Sequence, residues 1–130
     1  MSPGVALLFW SLVLFEVKHF VCDYVLQTPF QYRNKGIYGH LGGFIHAGIH
    51  AAGSLPALLV LTDSALPMAA ILAAEFVVHY HTDWLKEQIN KRRGLTIDDH
   101  LYWIVFGTDQ LIHQMTYVVF LAVLARGAGL

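Results

Sequence analysis

The sequence predicts an all-α fold, an integral membrane four-helix bundle with up-down-up-down topology, and residues 1–130 form a single transmembrane domain. Three observations carry that expectation. The chain is 56% hydrophobic and only 13% charged, against about 45–50% and about 25% in an ordinary soluble domain. A soluble fold of 130 residues could not hide so much apolar surface, which makes lipid the expected solvent. Four stretches each supply the roughly 20 residues that a helix needs to cross about 30 Å of hydrocarbon. Finally, each of the four carries a pair of ionisable residues at i,i+4 spacing, a periodicity that belongs to helices.

The first helix is expected over residues 5–27. Its apolar run lacks the basic start and small-residue cleavage site of a secretory signal, so it reads as a retained anchor. Thr28-Pro29 ends it, because proline cannot continue the hydrogen-bond ladder. The second helix is expected over 41–61, kinked at Pro56, with Gly42, Gly43, Ala47 and Gly48 allowing close helix contact. Thr62-Asp63-Ser64 is a link short enough to force a hairpin into the third helix, 66–93. That helix stays apolar to about Lys86 and stops at Gly94 after the cations Lys91, Arg92 and Arg93. Thr96 and Asp99 have capping-box spacing ahead of the fourth helix, 97–125.

Basic residues set the orientation. Arg33, Lys35, Lys91, Arg92 and Arg93, with Lys86 at a helix end, flank one side, and the other offers Arg126 and the terminal amine. Both termini are therefore expected on the non-cytoplasmic side of a multi-pass protein, with Trp84, Tyr102 and Trp103 in a cytoplasmic aromatic belt. The net charge of -1, without a basic tail, gives no reason to expect a nucleic-acid partner. The one cysteine, Cys22, excludes an internal disulfide and reads as a small buried apolar side chain.

An ionisable group inside a membrane costs about 2.5–3.5 kcal/mol on insertion scales, so each needs a partner or a purpose. The pairs are His19 and Asp23, His46 and His50, His79 and Asp83, and Asp109 and His113. Glu16 and Gln27 extend the first stripe within an arc of roughly 80°, taken at about 100° per residue. In the expected topology all four pairs fall in one leaflet, roughly 5–20 Å below the cytoplasmic boundary. A faint repeat accompanies them: HFVCDYV from His19 aligns with HYHTDWL from His79, and HAGIH from His46 with DQLIH from Asp109. Two hairpins related by a pseudo-twofold axis would meet at the cluster.

Histidines and aspartates in this mixture suit zinc, with iron or manganese as alternatives, rather than calcium or magnesium. One ion, or two sharing a carboxylate, would draw on His19, Asp23, His46, His50, His79, Asp83, Asp109 and His113, with Gln27 and Gln110 as amides orienting the ligands. His46 and His50 are the leading ligands. A metal-free proton relay and a purely structural network are the alternatives. Glu16 and Glu75, the deepest acids, read as neutral groups bonding across helices or as a catalytic base. Lys35 reads as a topology signal at the headgroups or as a holder of substrate phosphate. His81 is expected to be interfacial, and His40 and His100 solvated.

At HFVCDYVLQT, Lys35, HAGIH, HYHTD and DQLIH, over nearly the whole chain, the sequence resembles a family of small bacterial and phage-borne membrane proteins catalogued as a domain of unknown function. The resemblance implies a bacterial inner membrane and a shared polar signature of His19, Asp23, Gln27, Lys35, His46, His50, His79, Asp83, Asp109, Gln110 and His113. A looser likeness connects it to membrane-bound metal-dependent hydrolases of the YdjM type. The motif order differs from theirs, and no mechanism carries over.

The expected function is that of a metal-dependent hydrolase acting on a lipid or isoprenoid-linked substrate at the cytoplasmic interface. Absence of a GxSxG elbow argues against a serine route. The alternatives are a proton or divalent-metal transporter or sensor, which would need a homo-oligomer to enclose a path, and an accessory subunit of a larger membrane complex.

Overall fold

The computed structural model describes residues 1–128, which are helices and their connections with no strand among them. Helix α1 (Pro3–Phe20) starts where the Ser2 hydroxyl accepts from the Val5 N–H at 3.4 Å and Pro3 occupies the first turn, which has no use for its N–H. It continues into one π-helical turn, Val21–Val25, closed by the Leu26 N–H on the Val21 carbonyl at 2.9 Å. Pro29 then opens a short helix α2 (Pro29–Asn34) that the sequence reading had as plain connection.

The second expected helix is divided into α3 (Leu41–Gly53) and α4 (Leu55–Leu59). The break falls at Ser54, where Pro56 in the next turn cannot donate back. The expected kink is thus present as a break of one residue, Ser54, whose φ of -78° and ψ of -15° stay near helical. Helix α5 (Ala65–Arg93) ends as anticipated at Gly94, whose φ of 61° is the left-handed conformation glycine adopts freely. Helix α6 (His100–Ala128) begins three residues later than expected. Asp99 does reach back to the Thr96 N–H at 2.7 Å, but that bond closes a turn ahead of the helix.

Side-chain contacts fix the helix directions. Ser11 donates to the Ala57 carbonyl at 2.7 Å and Lys18 to the His50 carbonyl at 3.1 Å, so α1 runs antiparallel to α3 and α4. Phe15 stacks on Tyr117, and Gln110 bonds Asp23, which sets α1 antiparallel to α6. Ser54 meets Glu75 and His46 meets His79, which sets α3 antiparallel to α5. The four helical columns close in the order α1, α3–α4, α5, α6.

The interior has two zones. At the end holding the chain termini, Phe15, Leu58, Ile71, Tyr117, Phe120 and Leu124 form an apolar core. The other half is polar. Among the described residues, fifteen buried side chains are polar or charged and twelve are hydrophobic, while large apolar residues such as Phe9, Trp10, Val17, Phe20, Leu111 and Val119 face outward. That reverses the usual distribution in water. By length and composition, one helix among the described residues, Pro3–Val25 with mean hydropathy 1.8, is apolar enough to cross a membrane. The other three helical columns, each expected to be a crossing, do not meet that measure.

Candidate metal centre

The polar half is built from one face of each column. The π turn adds a residue to the last turn of α1 and so rotates Asp23 back toward the side that Lys18 and His19 share. Asp23 then accepts from three helices. Its Oδ1 lies 3.2 Å from His46 Nε2 and 3.0 Å from His50 Nε2. Its Oδ2 lies 3.2 Å from His19 Nε2 and accepts from the Gln110 amide at 3.2 Å. Across the cluster, Asp83 Oδ2 is 3.1 Å from His46 Nε2 and 3.4 Å from His79 Nε2.

His46 Nε2 therefore meets two carboxylate oxygens and, at 3.2 Å, the Nε2 of His79. A single N–H cannot serve three acceptors, and two imidazole nitrogens at that distance need a proton or a cation between them. Tetrahedral bonds of about 2.0–2.1 Å would place ligand atoms about 3.3 Å apart. The Asp23–His46, Asp23–His50 and His46–His79 contacts, at 3.2, 3.0 and 3.2 Å, fall close to that edge length. Their ligand atoms lie within 4.8 Å of one another, as do those of a second set, His79, Asp83 and His113. Buried atoms without a hydrogen-bond partner cluster here: Asp83 Oδ2, Asp109 Oδ1, His113 Nε2 and the Nδ1 atoms of His46 and His50. The donors fit a divalent ion.

Several expected roles change. His19 is outside both ligand sets: Tyr117 donates to its Nδ1 at 3.0 Å, and its Nε2 faces Gln110 Oε1 at 2.9 Å and Asp23. Both ring nitrogens are used, so it orients Asp23. Asp109 also lies outside both sets; its Oδ2 accepts from Gln110 at 3.2 Å and faces Lys86 at 3.6 Å. Gln110 fills the expected orienting position. Gln27 does not, because it donates to the Asp23 backbone carbonyl at 2.6 Å and supports the π turn.

Glu16 is half-buried and makes no ion pair or hydrogen bond among the described residues. The buried face of α1 is centred on Ser11, Phe15 and Lys18, and Glu16 stands at its margin. Glu75 bonds across helices as expected, but to Lys18 and, at 2.5 Å, to the Ser54 hydroxyl. Lys35 and Lys86 are not headgroup markers. Each is under a tenth exposed, and they contact Asp83 Oδ1 at 3.0 and 3.2 Å. The chain brings Lys35 inward at the end of α2, where the Gly36 carbonyl accepts from Gln88 at 2.6 Å and a Cβ on Gly36 would collide with Glu87. His81 is exposed beside Tyr38, as anticipated, while His40 caps α3 through Nδ1 on the Gly42 N–H at 3.0 Å.

Sequence reasoning missed Lys18, Tyr117 and Ser54. A signal existed for the first: Ser11, Phe15, Lys18 and Cys22 follow helical spacing, and Glu75 lacked an assigned partner.

Fold and site define an all-helical protein with a buried histidine–aspartate cluster that could hold a metal ion. Residues 11–128 match the family described as protein of unknown function DUF3307, and the chain belongs to that family. No curated protein and no solved structure matches it.

Proposed function

We propose that this protein is a membrane-embedded metal-dependent hydrolase acting on a lipid or isoprenoid-linked substrate at the cytoplasmic interface. The observation that carries the reading is the pair of ligand sets sharing His79. One imidazole nitrogen serves one ion, so two ions would divide the donors as Asp23, His46 and His50 against His79, Asp83 and His113. Three protein ligands with an open position is the pattern of catalytic zinc, whereas four close a structural site. When bound, such an ion supplies Lewis acidity and an acidified water.

The chain's own groups then have distinct work. His19, one turn before Asp23 on the same column, and Gln110 from α6 hold Asp23 in place. Asp109, with Oδ1 unpartnered and its side chain on a cleft between α5 and α6, is positioned to take a proton from a reacting group. The apolar exterior over a polar interior supports the membrane setting, and exposed Arg33, Lys91, Arg92 and Arg93 at one end support reading that end as the cytoplasmic one. Transport by one copy is disfavoured, because the polar column ends against Phe15, Tyr117 and Leu58. A purely structural lock is disfavoured by the orphaned Asp83 Oδ2 and His113 Nε2, which an ion at the second ligand set would partner.

Elemental analysis of membrane-purified protein tests the reading. The wild type is expected to carry about one or two transition-metal ions per chain, and His50→Ala and Asp83→Ala to carry fewer. Equal, negligible metal in all three ends it.

A further inference from the structure

We infer that Lys35 and Lys86 form an anion subsite that receives the phosphate of an amphiphile whose apolar tail lies between α5 and α6. The inference rests on the metal-centre reading and narrows its substrate from any ester or amide to a phosphate-bearing one. Two ammonium groups converge on a single carboxylate oxygen, Asp83 Oδ1, at 3.0 and 3.2 Å, with side chains only 7% and 9% exposed. Lysine heads ordinarily reach for water, and a marker of topology has no reason to be drawn in.

The balance of charge gives the reason. Lys35 and Lys86 pair with Asp83 and Asp109, Asp23 meets imidazoles and an amide without a cation, and Lys18 cancels Glu75. Without metal, the cluster holds one excess negative charge. Ligating histidines are neutral, so one divalent ion leaves one excess positive charge and two ions leave three. Glu87, 3.4 Å from Lys86, has a side chain one-third exposed and lies at the rim, where water screens it. A loaded centre away from bulk water thus calls for an anion; Lys86 stands at the entrance, and Lys35 meets it at the shared Asp83 Oδ1.

The entrance is the cleft of about 140 Å³ between α5 and α6. Leu85, Ile89, Ile104 and Ile112 form its apolar walls, and Lys86 and Asp109 are its charged lining. The unpartnered Asp109 Oδ1 and His113 Nε2, 3.5 Å apart, lie beside it. Apolar walls leading to ammonium groups and metal ligands match a phosphate headgroup on an acyl or prenyl chain. Inorganic phosphate shares the headgroup chemistry but gains nothing from the walls.

Full-length protein in detergent, with its metal content measured on the same sample, is titrated with phosphatidic acid, with diacylglycerol and with inorganic phosphate. Phosphatidic acid is expected to bind most tightly and to lose at least about tenfold on chelation or in Lys35→Gln and Lys86→Gln, as for deletion of a charged hydrogen bond. Lys35→Arg and Lys86→Arg, which keep the charge, are expected to restore much of it and separate anion binding from folding. Ile104→Trp, which fills the cleft, is expected to weaken phosphatidic acid and leave inorganic phosphate unchanged. Normal metal content with phosphatidic acid held no better than diacylglycerol overturns the inference and leaves the metal centre standing. Inorganic phosphate binding as tightly as phosphatidic acid overturns the amphiphile. Protein that takes up no metal removes the underlying reading, and the inference with it, since the charge balance is then negative.

Discussion

Lys18 offers the sharpest test of how the polar interior is held together. Lys18→Met keeps the length of the side chain and its place over the Tyr117 ring, 4.6 Å from the ammonium, while removing the charge. Glu75, only 1% exposed, would keep the Ser54 hydroxyl on Oε2 and lose its one cationic partner on Oε1. The His50 carbonyl would keep Ser54 at 3.3 Å. The dominant effect is thus one buried carboxylate left unpaired, and breaking a buried ion pair from one side costs about 3–5 kcal/mol. Removing both charges, in Lys18→Met with Glu75→Leu, leaves no uncompensated group and is expected to return to within about 1–2 kcal/mol of wild type. Equilibrium unfolding in detergent micelles, followed by far-ultraviolet circular dichroism, gives both values and their coupling. The reasoning is refuted if Lys18→Met alone costs under about 1 kcal/mol, or if the double variant is as unstable as the two single changes added together.

Two further outcomes are expected. Tyr117→Phe removes the donor to His19 Nδ1 but keeps the ring stacked on Phe15, so helicity should persist while metal affinity falls by up to about 10-fold, the low end for direct partners of a ligand because Tyr117 acts on Asp23 only through His19; metal titration by calorimetry reads this, and unchanged affinity would remove His19 from the support of Asp23. Gly42→Ala would place a Cβ 2.6 Å from the Phe30 carbonyl and should destabilise by about 1–3 kcal/mol, whereas Gly107→Ala meets nothing within 4 Å and should stabilise α6 by up to about 1 kcal/mol; thermal melts of the two variants should move in opposite directions.

The helices were legible because proline, glycine and hydropathy act locally. Gly94 ends a helix where the sequence placed the stop, the helix before Pro29 is over by Leu26, and the kink expected at Pro56 appears as a break at Ser54. The convergence of His46, His50, His79, Asp83 and Asp23 was also legible, since i,i+4 spacing and common depth are properties of one helix at a time. The partners of those residues were not. Lys35 reaches Asp83 only because the loop after α2 folds back over α5, and no periodicity encodes a return of that kind. His19 and His50 are indistinguishable by position on their helices, yet Tyr117 and Gln110 occupy both nitrogens of one and leave Nδ1 of the other bare. Lys18 was hidden for a different reason. It stands one residue from the His19 stripe, and the π turn that rotates Asp23 toward it is a departure from regular helix that the pattern of apolar residues does not report.

The two histidine–aspartate pairs that look alike in sequence show why local pattern cannot assign chemistry. His19 and Asp23 span the start of a π turn, while His79 and Asp83 lie on an unbroken α-helix. Asp23 is surrounded by three imidazoles and an amide, and Asp83 by two imidazoles and two ammonium groups. Uncharged imidazoles leave a carboxylate its full negative charge to offer a cation, whereas two ammonium groups already neutralise Asp83 and turn its surroundings toward anions. Asp23 thus makes a cation-holding side at α1 and α3, while Asp83 makes a second side at α5, where Oδ2 faces a ligand set and Oδ1, under two ammonium groups, lies where an anion would be received. The cleft at Lys86 and Asp109 opens on the second side, which is where a substrate carrying the opposite charge to the metal would have to arrive.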